Sequence, residues 1–446
     1  AESAPWRRFA EEAIGAPLPD VKAFVNEPHQ VNWKALGKTQ PTGVVADEQP
    51  EADLLLWLHR DGCPVLIGND FHTHEIKAMD PGVQTWSEPV IETTGLARHH
   101  DMVADWLYDY ETSVNIKNLK DQYAWARAYG KPYMPTLSPG YWHCTRRGFW
   151  RDHPTAKNEK GKAIDYMMTQ TAEEMMIRTW ICFGAVPSHD LSLFALDGWE
   201  RGAEAGKTLV NDRWGITEGT PVCHPDDPVK YGRFLKETFL PAAELLRDMP
   251  NVRPDVALCP LLENRPMTRG WGAYTKVYEF ETILAEVPGN IDYDVLVDPE
   301  FSLENLSRYR AVIVPYACVM TRSHHDVLAK LPKTTTLVLD EECPTNVLPS
   351  AVHLAKDGFR KWSVENLSAY AALRPARSDQ DAANGDGSFT FWKEHAGANY
   401  AVVVNDRRDR GGCLQENYQT NAWYRPHALP QRIVTRLRVP ETSAIY

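Results

Sequence analysis

From residue 1 to about 250 the chain alternates short apolar runs with helical stretches, a rhythm that restricts this part to repeated βα units on a parallel sheet. Trp6, Phe9, Ala10, Ala13 and Ile14 recur at helical spacing. Gly15 and Pro17 end that segment, and residues 21–25 have the composition of a short buried strand. Residues 51–61 and 71–79 read as helices, and residues 82–86 read as a strand ending in Ser87-Glu88-Pro89. Residues 102–108 form another apolar run, which stops at Asp109-Tyr110-Glu111. An amphipathic stretch over 119–129 precedes a strand over 131–136. A long Met-rich helix is expected over 163–181, leading through Gly184 to an apolar strand over 188–194. The count is about five parallel strands, too few to close an eight-stranded barrel.

Near Pro250 the character changes. Residues 255–258, 291–296, 310–315 and 336–340 read as buried strands with helical material between them, the pattern of an open, doubly wound α/β domain. A segment over 374–388, rich in Asp, Gly, Ser and Ala, reads as a linker. Residues 400–405 and 432–439 then have β character and partial alternation. The expected division is a (β/α) barrel portion over 1–250, an α/β domain over 251–375, and a linker with a small antiparallel β domain over 376–446.

Several function classes are excluded by composition. A formal charge of −12 and the lack of a Lys/Arg-rich run argue against nucleic acid as a partner. No apolar stretch approaches the roughly 20 residues of a membrane-spanning helix. The eight cysteines are scattered singly, as in a reducing compartment, which favours a cytoplasmic location over a periplasmic or secreted one. They form no pair or His/Cys cluster of zinc-site spacing. His99-His100-Asp101 and His72-x-His74-Glu75 lack a third ligand at fixed spacing, so no metal is expected. The phosphate-binding glycine loops and the G-x-S-x-G elbow are absent, and no cofactor is implied.

What remains is a set of carboxylates and aromatics just beyond the apolar runs. In closed α/β barrels the reacting groups sit at the carboxyl ends of the strands, so Glu27 in Asn26-Glu27-Pro28 would face the mouth. Glu88, Asp109, Glu111 and Asp190 hold comparable positions. Each also has an ordinary reading, as solvated charge at a strand end or, for His189-Asp190, as a structural pair. Trp86, Trp106, Tyr141 and Trp142 suit stacking on the apolar face of a pyranose, with Tyr108 and Tyr110 interleaved among the acids.

Asn26-Glu27-Pro28, Gly130-Lys131-Pro132-Tyr133-Met134, Trp180-Ile181-Cys182-Phe183-Gly184-Ala185 with Leu193-Phe194, and Asn405-Asp406-Arg407-Arg408 together make the chain similar to family-42 glycoside hydrolases and their retaining clan. The resemblance implies a (β/α)8 barrel, a trimerisation-like α/β domain and a C-terminal β domain. It also implies a homo-oligomer, dimer or trimer, that hydrolyses β-linked sugars, often β-galactosides. Glu27 on a fourth strand would be the general acid/base, and Asn26 would contact the sugar 2-hydroxyl. The substrate-binding set would comprise Trp86, Glu88, Tyr108, Asp109, Trp142, His189 and Asp190. Two departures follow. Strands one to three have no counterpart, so a longer protein or a partner chain is expected to supply them. The seventh strand, where the clan carries its nucleophilic Glu, offers Thr136 instead. The alternative is a carbohydrate-binding or assembly protein whose barrel lost its nucleophile.

Overall fold

The computed structural model describes residues 96–107, 112–137, 172–193, 226–261, 279–281, 283–284, 292–367 and 388–406, with the backbone of short strands elsewhere. The helices expected before residue 80 lie outside the described residues.

The first half is built on strands β1 (Ala23–Asn26), β2 (Val65–Gly68), β3 (Gln84–Ser87), β4 (Met102–Leu107) and β5 (Tyr133–Leu137). Two short strands follow, β6 (Gly140–Tyr141) and β7 (Met168–Thr169), and then β8 (Ser192–Leu193). Six of these form one parallel sheet in the order β1-β2-β3-β4-β5-β8. Spatial order is chain order, and the two described crossover helices, Thr112–Ala128 and Ala172–Ala185, fall on one face, as right-handed crossovers that step the same way require. Such a sheet can bury its second face by curling, as barrels do. The register agrees with tilted strands, because the row through Asn26, Gly68 and Trp86 meets Met102, the first residue of β4.

Helices α1 (Thr112–Ala128) and α2 (Ala172–Ala185) cover the outer face. Val103, Leu107, Tyr133 and Leu137 pack there with Ile116, Leu119, Ile177 and Ile181. Met102, Ala104 and Met134 cluster separately on the inner face, as the period-two alternation of a strand requires.

Two expectations are corrected here. Val65-Leu66-Ile67 is a strand that the sequence reading omits, because a run this short has no legible periodicity between flanks that read as helical. The single helix expected over 163–181 is a strand followed by a helix. Met168 pairs with Tyr141 and with Tyr424 of the tail, so helical bonding begins only at Ala172.

An antiparallel pair, β9 (Leu209–Asn211) and β10 (Ile216–Glu218), precedes helical residues 226–246, which pass through a π-turn at Leu235–Phe239. The second sheet contains β11 (Val256–Leu258), β12 (Asp294–Val295), β13 (Ala311–Val314), β14 (Thr336–Leu339) and β15 (Val352–His353). All are parallel, in the order β12-β11-β13-β14-β15. The order reverses at β11, so crossovers go to both faces and the strands read as continuous apolar runs. Val256, Leu258, Val295, Ile313 and Val338 join the core that also holds α1 and α2. Ala257, Val312, Val314, Leu337 and Leu339 form a second core on the opposite face.

The tail contains β16 (Arg377–Ser378), β17 (Ser388–His395), β18 (Ala398–Asn405), β19 (Arg408–Asp409), β20 (Cys413–Tyr418), β21 (Asn421–Tyr424), β22 (His427–Ala428) and β23 (Ile433–Val434). β17 and β18 make a hairpin whose turn residues, Ala396 and Gly397, have φ of 51° and 78°. Two positive φ values match the twist of a tight hairpin turn, and at Gly397 glycine adopts this region without strain. The remaining tail strands do not stand apart as a purely antiparallel unit. β20 and β21 continue into β7 and β6 as one four-stranded sheet, with a parallel step between β21 and β7.

The hairpin is fixed to α2 by close packing and by a buried lysine. A Cβ placed on Gly184 would lie 2.5 Å from Cδ2 of the buried Phe391 ring. Lys393 is fully buried, and its Nζ donates to Val186 O at 3.1 Å, Met249 O at 3.0 Å and Asn251 Oδ1 at 2.9 Å. Asn251 in turn donates to the carbonyls of Gly184 and Ala185 at the end of α2. Val252 N and Glu394 N bond to Trp392 O and Pro250 O, so the linker around Asn251 runs as a short strand along the hairpin.

Gly184→Ala is expected to lower stability by about 1–3 kcal/mol through overpacking, with Phe391→Leu in the same chain restoring part of it; urea unfolding midpoints check this. Burial pulls the Lys393 ammonium down to about 7 from 10.5, with Asp292 opposing and Lys120 adding to the effect. Between those two values the unfolded chain binds the proton and the folded chain does not. Stability should therefore rise with pH from about 7 to 10 by up to ~1.4 kcal/mol per unit. Lys393→Met should flatten that rise in unfolding curves collected across the range, and an unchanged slope would contradict the assignment.

Candidate active site at the carboxyl ends of the parallel strands

In a parallel sheet all carboxyl ends emerge together, so the residues closing β1 to β5 and β8 define one side of the molecule. Asn26 is the last residue of β1, paired with Gly68 at the end of β2. Trp86 lies in β3, one residue before its end, and pairs with Gly68 and Met102. Glu27, Glu88, Tyr108, Asp109, Glu111 and Trp142 lie outside the described residues; the first four follow directly on β1, β3 and β4.

Thr136 occupies a different setting from a surface strand end. It is almost fully buried and shares the inner face of the sheet with Met134, two residues earlier in β5. Its register partners are Trp106 and Ser192. Its hydroxyl has no hydrogen-bond partner among the described residues, an uncompensated polar atom inside the sheet.

His189 and Asp190 lie beside the amino end of β5. The His189 N–H donates to the carbonyl of Tyr133, the first residue of β5, which sets the turn at the amino ends of the strands. Its Nδ1 lies 2.7 Å from Asp248 Oδ2, its carbonyl accepts from Arg247, and Asp190 accepts from the N–H of Leu191. Both residues serve the turn between α2 and β8, and β8 must run its length before reaching the mouth.

Strand number also departs from the resemblance. A motif on a fourth strand and Lys131–Met134 on a seventh leave two strands between them, whereas β2, β3 and β4 make three between β1 and β5. β5 is therefore four positions from β1, and β4 is three.

Sequence reasoning missed Arg178. It is 2% exposed on α2, and its Nη1 donates at 2.7 Å to the carbonyl of Leu107, the final residue of β4. Glu174, one turn earlier on the same helix face, is also buried. A guanidinium bonded to a strand-end carbonyl fixes the backbone there. The only signal in the sequence was the Glu-Arg spacing inside an apolar helix. A second missed contact joins Thr112, the first residue of α1, to Asp406 of the tail, Oγ1 donating to Oδ1 at 2.6 Å.

A further concavity of about 200 Å³ lies between α1, the end of α2, the linker and β12, lined in part by Lys120, Arg127, Arg253, Asp292 and Asp294. Lys120 and Arg127 in it are already matched. Lys120 meets Asp292 at 2.6 Å and the Tyr293 carbonyl at 2.7 Å, while Arg127 grips both oxygens of Glu300 at 2.7 and 2.8 Å. Burial opposes the Arg127 charge, but Glu300 and Asp294 outweigh it and hold the guanidinium above its ordinary value. Burial raises the Asp294 carboxyl against the pull of Arg127 and Lys120, and Tyr309 donates to it at 2.7 Å. This arrangement is that of an interface. Among the described residues no group of three His, Cys, Asp or Glu is placed to hold a metal ion, and no helix is long and apolar enough to cross a membrane.

The chain is a mixed α/β protein with a singly wound parallel sheet. No protein-family profile and no curated protein matches it. Among solved structures it is similar to a β-galactosidase from the psychrophilic Marinomonas ef1, with TM-score 0.39 and 11% identity over 95% of this chain and 65% of that one. It is also similar to α-L-fucosidase isoenzyme 2 from Paenibacillus thiaminolyticus, with TM-score 0.36 and 13% identity over 68% and 40%. The apo exo-carrageenase GH42 from Bacteroides ovatus gives TM-score 0.44 and 12% identity over 90% and 56%. The chain thus spans less than two thirds of each of these proteins, and the likenesses assign it no activity.

Arg178→Met should leave the Leu107 carbonyl without its donor and the buried Glu174, one turn away on the same helix face, without a neighbouring guanidinium. A loss of about 3–5 kcal/mol is expected, to be read from chemical denaturation.

Proposed function

We propose that the chain is a carbohydrate-active enzyme of the β/α-barrel type that hydrolyses a β-linked glycoside, with Glu27 as general acid/base and Asp109 as the second carboxylate. The observation that carries this reading is the position of Asn26 as the last residue of β1, in a sheet whose spatial order is its chain order. Glu27 follows directly, at the end where such sheets deploy reacting groups.

Asp109 is favoured by strand separation. The resemblance sets acid and nucleophile three strands apart, and β4, after which Asp109 comes two residues later, is three strands from β1. Two carboxyls about 5 Å apart give a retaining reaction, in which Glu27 protonates the leaving oxygen while Asp109 attacks the anomeric carbon. A separation of roughly 6.5–9.5 Å leaves room for water and gives inversion. Glu27 must carry its proton near neutrality, which a neighbouring carboxylate promotes by disfavouring a second negative charge. Asn26 would hydrogen-bond the sugar 2-hydroxyl, Trp86 and Trp142 would stack on the ring, and Glu88 and Tyr108 would bind further hydroxyls. Proton transfer and displacement by carboxylates require no cofactor.

One observation favours a second reading. Thr136 is a buried hydroxyl without a partner among the described residues, on the strand that the Gly130–Met134 motif, rather than the strand count, would make the nucleophile strand. This suits a sugar-binding or assembly protein derived from a hydrolase.

Glu27→Gln and Asp109→Asn should each lower kcat on 4-nitrophenyl β-D-galactoside by roughly 10²–10⁴-fold while binding of galactose persists. Wild-type rates in both variants would remove the catalytic assignment. Absence of turnover in the wild type, with activity gained by Thr136→Glu, would select the second reading.

A further inference from the structure

We infer that the tail is a working part of the carboxyl-end site, with Asp406 acting as a positioning residue through Thr112. The inference rests on the glycosidase reading above for its kinetic content and on two independent contacts for its geometry.

The first contact is the bond from Thr112 Oγ1 to Asp406 Oδ1 at 2.6 Å. Thr112 is 4% exposed and opens α1, five residues after Leu107 closes β4. Leu107 is itself tied by Arg178 at 2.7 Å. Leu107 at the end of β4 is thus held by a guanidinium from α2, and Thr112 at the start of α1 by a carboxylate from the tail. A hydroxyl-to-carboxylate bond in a buried setting is among the stronger hydrogen bonds a protein makes, because one partner is charged.

The second contact is a strand pairing. β6 begins three residues after Leu137 ends β5, and its Tyr141 pairs with Met168, which pairs with Tyr424 of the tail. The same tail therefore reaches the chain that follows two neighbouring strands: Thr112, five residues beyond β4, through Asp406, and β6, three residues beyond β5, through β21 and β7. Residues nearly 300 positions apart in sequence build one rim. A positioning group acts on rate by holding its neighbour in reacting geometry, and small misplacements are costly for catalysis while leaving binding largely intact.

The test is a double-mutant cycle in the full chain: Thr112→Val, Asp406→Ala and the pair, with Thr112→Ser as the conservative variant that keeps the hydroxyl. With 4-nitrophenyl β-D-galactoside each single variant should lower kcat about tenfold with KM within about twofold of wild type, the double should be no worse than the poorer single, and Thr112→Ser should recover most of the rate. Rates within twofold of wild type, or fully additive losses, would overturn the inference. If the wild type turns over no glycoside, the glycosidase reading fails on its own, and the same variants are read by amide hydrogen exchange over residues 103–116 and 133–141. Faster exchange in Thr112→Val and Asp406→Ala, restored in Thr112→Ser, would support the clamp. Unaltered protection would overturn it.

Discussion

The arrangement depends on burying the charged face of α1. Lys117, Lys120 and Arg127 lie along one side of that helix, and all three turn toward acids: Asp121 and Glu281 for Lys117, Asp292 for Lys120, Glu300 and Asp294 for Arg127. An ammonium taken out of water without partners costs several kcal/mol, so these cations fix where the second sheet can sit. Apolar faces alone tolerate sliding. Arg127 does not, because its fork must meet both oxygens of Glu300 and the Val295 carbonyl together. Replacing one partner of such a set leaves the other buried and unmatched.

The residues legible from sequence were those whose structure is local. Parallel strands at Met102–Leu107, Tyr133–Leu137, Ala311–Val314 and Thr336–Leu339 announce themselves as apolar runs, and α1 by its spacing. The structure extended what was read there, since the polar side of α1 reads as a solvated face but is covered by the second sheet. β2 escaped notice because four residues carry no period. The tail's pairing with β7 escaped because strand partners distant in sequence leave no mark on either strand. Arg178 escaped because a Glu and an Arg four apart in an apolar helix do not by themselves tell an arginine that snorkels from one that turns inward to a carbonyl.

For the candidate site, Asn26 and Trp86 lie at or next to the carboxyl ends of their strands, while His189 and Asp190 lie beside the amino end of β5. Those two follow an apolar helix and precede an apolar strand, and at that level the two ends of a strand look alike. Their hydrogen bonds to Tyr133, Arg247 and Asp248 settle which end they occupy. The strand order itself, β1-β2-β3-β4-β5-β8, is what composition and spacing cannot supply.

The strand formed by the linker along the hairpin has a consequence for how the chain is made. Phe391 and Val404 belong to the same continuous core as Ile116, Ile181 and Val256. Those earlier residues therefore emerge from the ribosome well before the surface that covers them exists. At about 5–20 residues per second, α2 waits roughly ten seconds or more for Phe391, with apolar side chains open to water and to other nascent chains. Closure of so long a loop must precede completion of the core, which makes late synthesis the point at which the protein commits to its fold.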